Sequence, residues 1–323
     1  VSGSFSLGGV MVSNISRGKR KMLASYDFMK TSDKRAIRYG IWYGQKEPRR
    51  GSILLLNGRR EFMEKYTETI GELIERGFDV YSMDWRGQGL STRMLADRHK
   101  GFIEDFDVYL NDLKLFVSNR VIPNAIGPVM ILAHSMGGHM ALRFIHDHPG
   151  MADRMVLTAP MIDIFGSSLT RWGARFISRA ANKAGFNRTY VFGSGIDTDE
   201  KFEGNNLTSD PVRFMATAKK IEENPDLALG GVTFGWVSAA LKSIDILRNP
   251  GFAEQIGTPI LMISAGEDRI VSNTAQKKIC SLLPNCRFME IPGARHEILV
   301  ETDAVRSVFW HEFDRFTRPG IAS

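Results

Sequence analysis

Short apolar runs punctuate this chain at regular intervals, and most are followed by a stretch with helical spacing. Residues 53–56 are wholly apolar, the pattern of a strand buried on both faces. The run stops at Asn57-Gly58. Across residues 62–76, Tyr66, Ile70, Leu73 and Ile74 fall on one helix face, and Gly77 ends the segment. Residues 80–83 form the next predicted strand, followed by the turn Arg86-Gly87-Gln88-Gly89. Residues 106–117 carry Tyr109, Leu110, Leu113 and Phe116 at helical spacing. A third strand, 129–133, runs straight into His134-Ser135-Met136-Gly137-Gly138. A helix over 140–148 is stopped by Pro149. Residues 155–158, 260–264 and 287–291 read as further strands, and an amphipathic helix over 305–316 closes the chain.

Strand, helix, strand, repeated, predicts a mostly parallel sheet with helices on both faces. The repetition breaks once. Between Pro160 and Trp236 there are helical segments, Gly-rich turns and many charges, but no strand-like run of comparable strength. We read this stretch as an inserted cap. The predicted organisation is a flexible tail over 1–23, a first core segment over 24–160, the cap over 161–235, and a second core segment over 236–323.

Bulk composition narrows the function classes. A length of 323 residues suits one large core carrying an insertion. The net charge of +6 is a mild bias, which speaks against nucleic acid as a partner and is compatible with anionic lipid headgroups. The two cysteines, Cys280 and Cys286, match no metal motif and are expected to be free thiols in a reducing compartment. No run of about 18 apolar residues is present, so no membrane-spanning helix is expected. The basic cluster Arg17, Lys19, Arg20 and Lys21 follows a mildly apolar segment, the reverse of a secretory signal. The expected location is cytoplasmic, with peripheral contact to the inner membrane as an extension. No strand ends in a Gly-x-Gly-x-x-Gly turn, which argues against a dinucleotide enzyme.

The segment Ala133-His134-Ser135-Met136-Gly137-Gly138 sits where a buried strand meets a helix. A serine at such a junction occupies a sharp turn that lifts its hydroxyl above the sheet edge, with helix N–H groups beside it. The usual pattern has glycine at position 133, where this chain has alanine. A serine at a helix start also serves as an ordinary N-cap; the preceding strand and the available partners favour a nucleophile. Such a serine needs a base, and the base needs an orienting carboxylate.

Of the seven histidines, His296 lies just beyond the last strand, at the sheet edge where catalytic loops gather. His134 and His139 flank the elbow and are expected to pack or support it. Asp268 follows the preceding strand and comes 28 positions before His296. Glu267 and Asp163 are the competing seats for the acid. Backbone N–H groups of Met136 and Arg59 are the candidate oxyanion donors. Asn57, Gly58, Arg60 and Trp236 are candidate substrate contacts. The side chains of Arg59 and Arg60 are read as solvated, with an anionic substrate as the alternative.

These residues together resemble a known family. Asn57-Gly58 with Arg60-Glu61 and Tyr66, the run 84–91 from Asp84 to Ser91, the elbow, Gly266-Glu267-Asp268 and the run 293–299 around His296 look like the monoglyceride lipase and lysophospholipase group of α/β hydrolases. In the cap, Leu207-Thr208-Ser209-Asp210-Pro211, Asn224-Pro225 and the run 230–236 are more similar to the bacterial lysophospholipase branch. The resemblance implies an α/β-hydrolase fold with an eight-stranded sheet, a serine esterase acting on a single-chain lipid ester through an acyl-enzyme, and no cofactor or metal. Two alternatives stay open: a monoacylglycerol lipase or general carboxylesterase, and a catalytically idle binding protein on the same fold. In the cap, Arg171, Arg175, Arg179 and Lys183 recur every four residues beside Trp172, Phe176 and Ala180. The favoured reading is a solvated basic face with its aromatics packed on the core; a helix lying on an anionic membrane is the alternative. Phe165, Phe186, Phe192, Phe234 and Trp236 are candidates to line an acyl tunnel.

Overall fold

The apolar runs lie side by side in one open sheet. A computed structural model describes residues 24–44, 47–164, 166, 168–196 and 201–318; the tail over 1–23 lies outside them. The strands are β1 (Ala24–Lys30), β2 (Ala36–Trp42), β3 (Gly51–Leu56), β4 (Phe78–Met83), β5 (Val129–His134), β6 (Arg154–Thr158), β7 (Ile260–Ala265) and β8 (Cys286–Ile291). Their order is β1-β2-β4-β3-β5-β6-β7-β8, antiparallel across β1-β2-β4 and parallel from β4 to β8. The two strands without a clear apolar run are β1 and β2. β1 is a half-exposed edge strand, and β2 carries the buried Arg38 and a glycine in its middle, which mask its alternation.

Both faces of the sheet are covered. On β3, Leu54 and Leu56 point into one apolar cluster while Ile53 and Leu55 point into the other, as the strand period of two requires. The first cluster is completed by α2 (Phe106–Phe116) and α3 (Met136–Asp147), the second by α1 (Thr67–Glu75) and α8 (Asp303–Phe316). Between β6 and β7 the chain forms α4 (Ser168–Lys183), α5 (Pro211–Glu223) and α6 (Phe234–Leu247). Asp210 starts α5 by accepting hydrogen bonds from the N–H groups of Val212 and Arg213, with Pro211 in the first helical position. Trp236, Ala239 and Ala240 of α6 join the α2–α3 cluster, so residue 235 lies in the first turn of a helix anchored on the core.

Two expectations need correction. Cys280 ends α7 (Asn273–Cys280) and Cys286 opens β8; the turn between them brings their Cα atoms to 5.4 Å, and they are joined in a disulfide rather than free. Spacing alone gave no sign of this, because the pairing depends on the chain reversal. In α4, Trp172 and Phe176 are not packed on the core: they are 63% and 64% exposed and stack on each other. The side of α4 that meets α6 carries instead the buried Ser178 and Arg175, which pairs with Asp245. Arg179 and Lys183 are exposed, and the side chain of Arg171 lies outside the described residues.

Candidate active site

β4 and β5 flank β3 on opposite sides, so the turns after β3 and β5 open a crevice at the carboxyl edge of the sheet. Ser135 sits in this crevice, between β5 and α3. Its φ of 51° and ψ of −117° place a non-glycine residue in a rarely populated conformation, a turn held from outside. The Ser135 N–H donates to Thr158 O at 3.0 Å, and its carbonyl accepts from Met161 and His139. Gly137 permits the crossing of α3 over β3: a Cβ there would stand 2.3 Å from Leu56 O and 2.7 Å from Asn57 O. Ala133 is buried in the core, so its methyl group is accommodated.

Three loops converge on the serine hydroxyl. His296 Nε2 lies 2.9 Å from Ser135 Oγ, and Nδ1 lies 2.7 Å from Asp268 Oδ2. Nδ1 carries the proton toward the carboxylate, leaving Nε2 to accept from the serine. Burial pushes the Asp268 pKa up, but the His296 hydrogen bond and charge, with the N–H groups of Val271 and Ile270 on Oδ1, outweigh it and leave the carboxyl below its usual range. The competing acids lie elsewhere. Asp163 pairs with Arg248, and Glu267 is exposed.

A buried ionic cluster stands behind His296. The His134 ring lies 4.8 Å from that of His296, and burial pushes its pKa down to about 4, so it is neutral at pH 7. Beneath it, Lys65 Nζ sits 2.9 Å from Glu61 Oε1 and 2.5 Å from Glu297 Oε1, and Tyr66 donates to Glu61 Oε2 at 2.6 Å. Burial alone would raise Glu61, but the Lys65 charge holds it well below the ordinary carboxylate range. Glu297, sharing the same cation, stays raised by burial. Glu61 also accepts the Gly58 N–H, which ties down the turn after β3. Glu61 and Tyr66 are legible in the sequence only through the family resemblance, and Lys65 not at all; their burial is a tertiary property.

The hydroxyl faces a cavity of about 560 Å³, within the range of small-molecule sites. Gly58, Arg59, Arg60, Met136 and Trp236 line it, as do Ser135 and His296. Asn57 does not: it is fully buried, and its carbonyl accepts from Trp85 Nε1. That expectation is corrected, because the turn aims residues 58–60 at the cavity and folds residue 57 beneath them. The guanidinium groups of Arg59 and Arg60 are not simply solvated either. They donate to the carbonyls of Gly230 and Leu229, and Arg59 covers the Trp236 ring at 5.3 Å, so they fasten residues 229–230 to the turn after β3. The opposite wall is a face of α5 that sequence reading overlooked: Phe214, Thr217, Ala218 and Ile221. Of the aromatics proposed for an acyl tunnel, Trp236 lines the cavity; Phe186 and Phe192 are exposed, Phe234 is buried away from it, and Phe165 lies outside the described residues. Among the described residues no cluster of His, Cys, Asp and Glu is arranged to hold a metal ion.

A nucleophile elbow with this fold points to a defined set of relatives. A family model described as serine aminopeptidase, S33, matches residues 47–303. The chain belongs to that family of α/β hydrolases. Lysophospholipase L2 of Escherichia coli strain K12 is 35% identical over 275 residues, covering 82% of this chain and 80% of the relative. The probable lysophospholipase L2 of Haemophilus influenzae is 33% identical over 254 residues, covering 79% of each. A soluble variant of Saccharomyces cerevisiae monoglyceride lipase superposes with a TM-score of 0.72 at 20% identity, covering 91% of this chain and 95% of that one, which establishes the shared fold. This hydrolase is therefore an ester-cleaving enzyme with the eight-stranded, mostly parallel sheet that its sequence predicts. No helix among its described residues is long and apolar enough to cross a membrane.

Proposed function

We propose that this hydrolase cleaves the acyl ester of lysophospholipids, with Ser135 as nucleophile, His296 as general base and Asp268 as the orienting acid. The observation that carries the reading is a serine–histidine–aspartate relay opening into a cavity with an apolar wall. Phe214, Ile221, Leu229, Val232, Ile270 and Val271 suit an acyl chain, while Lys201, Asn205 and Asn206 offer polar contacts to a headgroup. The lysophospholipase L2 relatives, matched over about four-fifths of their length, point to the same substrate class.

The reaction runs in two steps. Ser135 Oγ adds to the ester carbonyl as His296 Nε2 takes its proton, and the N–H groups of Met136 and Arg59 receive the developing oxyanion. His296 returns the proton to the departing glycerophospho-alcohol as the ester bond breaks. Water, deprotonated by the same imidazole, then releases the fatty acid from the acyl-serine. Residues 161–235 serve as the cap over this site. The exposed Trp172–Phe176 face of α4, with Arg179 and Lys183 beside it, supports peripheral contact with an anionic membrane surface. At the cytoplasmic face the Cys280–Cys286 bridge would meet a reducing environment.

The test is product release from lysophosphatidylcholine, lysophosphatidylethanolamine and monoacylglycerol of one chain length, below their micellar concentrations. The expected result is preference for the phospholipids, and a fall of about 10⁵- to 10⁶-fold for Ser135→Ala. Preference for monoacylglycerol, or cleavage of short soluble esters alone, would overturn the substrate assignment. Undiminished turnover by Ser135→Ala would overturn the mechanism.

A further inference from the structure

His296 stands five residues beyond the end of β8, past the left-handed Gly293, so the core strand does not by itself fix the base. The core grips the loop on either side, with the Ala294 carbonyl accepting from the Glu267 N–H at 2.8 Å and Ile298 buried in the core, while the cap holds the backbone of His296 and Glu297 themselves. The backbone N–H groups of His296 and Glu297 donate to the carbonyls of Asn206 at 3.4 Å and Leu207 at 2.8 Å. Thr208 Oγ1 donates to Val300 O at 2.8 Å, and Arg295 Nη1 donates to Thr208 O at 3.1 Å. Glu301, with no exposed surface, closes the junction. Its Oε1 accepts from the N–H of Ser209 on the cap at 2.9 Å and from that of Arg295 on the base loop at 3.0 Å. Its Oε2 accepts from the Thr302 N–H at 2.8 Å. One buried carboxylate thus satisfies backbone donors from both segments.

We propose that cap residues 206–209 form a working part of the base-bearing loop, and that Glu301 is the positioning residue that joins the two. Asn205, Asn206 and Leu207 also line the cavity, so a substrate chain touches the same segment that carries the His296 backbone. The seating of the cap therefore sets the reach of His296 Nε2 toward Ser135 Oγ, and an acyl chain pressing on Leu207 acts on the base as well as on affinity. This rests on the assignment of His296 as base, not on the choice of lipid. It gives the cap motif Leu207-Thr208-Ser209-Asp210 a physical role, in which Thr208 and Ser209 bond to the base loop while Asp210 starts α5.

The test compares Glu301→Gln and Thr208→Val with wild type on p-nitrophenyl butyrate, a small ester, and on lysophosphatidylcholine. Rates are normalised to the serine titrated by a fluorophosphonate, which removes any loss from unfolded enzyme. The glutamine amide sets a donor against a backbone N–H, and the valine removes the hydroxyl that donates to Val300 O and accepts from the Asp210 N–H. The expected result for Glu301→Gln is a fall of about 10- to 100-fold in kcat on both esters, with KM within about threefold; Thr208→Val falls about tenfold. Wild-type kcat on the small ester, with losses confined to KM for the lysolipid, would overturn the proposal, because the segment would then only build the cavity wall. If Glu301→Gln does not fold, full kcat in Thr208→Val overturns it equally. A wild-type enzyme that prefers monoacylglycerol removes the lysophospholipid reading and leaves this comparison intact.

Discussion

Replacing Lys65 by methionine tests whether the cluster behind His296 is as dry as its burial implies. Lys65 sits between Glu61 and Glu297, and all three side chains are at most one-tenth exposed. The two carboxylates pull the Lys65 pKa far above its ordinary value against the effect of burial. Methionine keeps the apolar stem and removes the charge, which leaves two carboxylates facing each other. Breaking a buried ion pair from one side costs about 3–5 kcal/mol. For a chain of this size about 2 °C per kcal/mol is appropriate, so the melting temperature should fall by roughly 6–10 °C. The loss depends on pH with a definite sign. Without Lys65 the folded-state pKa of Glu61 rises above its unfolded value, and that of Glu297, already raised by burial, rises further. The folded state then gains from protonation in acid and loses stability as pH rises through those values. The deficit relative to wild type should be larger at pH 8 than at pH 5. Circular-dichroism melts of both proteins at the two pH values read this directly. A loss under about 1 kcal/mol at pH 8, or equal deficits at both pH values, would refute the reasoning, since water would then be solvating the carboxylates. Adding Glu297→Gln to Lys65→Met should restore part of the loss, because it removes one of the opposed charges.

Two further outcomes follow from the same geometry. Gly137→Ala drives a methyl group into Leu56 O and Asn57 O, backbone atoms that yield only if α3 or the turn after β3 moves; kcat/KM should fall about 10²- to 10³-fold, as when an oxyanion donor is displaced, and unchanged steady-state kinetics would show that the crossing has slack. His139 is buried and neutral, with Nδ1–H donating to Met161 O and Nε2 accepting from Ser243, and burial lowers its pKa from 6.5 to about 3. Its contribution to stability is therefore present above pH 6.5 and lost as pH falls toward 3, on the order of 5 kcal/mol in all; urea denaturation across this range should show the loss, and His139→Gln should flatten it, whereas identical profiles would mean that the imidazole protonates in place.

The sequence by itself determined the parts of this protein that local covalent geometry controls. Six strands were legible as short, mainly apolar runs, because five are buried almost throughout and β8 still carries Phe288, Met289 and Ile291. The seat of Ser135 was legible because a serine between such a strand and a helix, with Gly137 after it, fits the pattern of a sharp strand-to-helix turn. That His296 and Asp268 would meet near Ser135 was legible because the carboxyl ends of successive parallel strands lie on one edge, so chain order stands in for space.

Only the tertiary structure decided the rest. Lys65 and Glu297 are 232 positions apart, and Thr208 and Val300 are 92 apart, so no periodicity or spacing could pair them. The cavity-lining face of α5, the outward rotation of Trp172 and Phe176, the capture of Arg59 and Arg60 by the carbonyls of Gly230 and Leu229, and the Cys280–Cys286 bridge share one cause. Each depends on how two separate elements are set against each other. That placement comes from the summed packing of the whole chain, and no single segment encodes it.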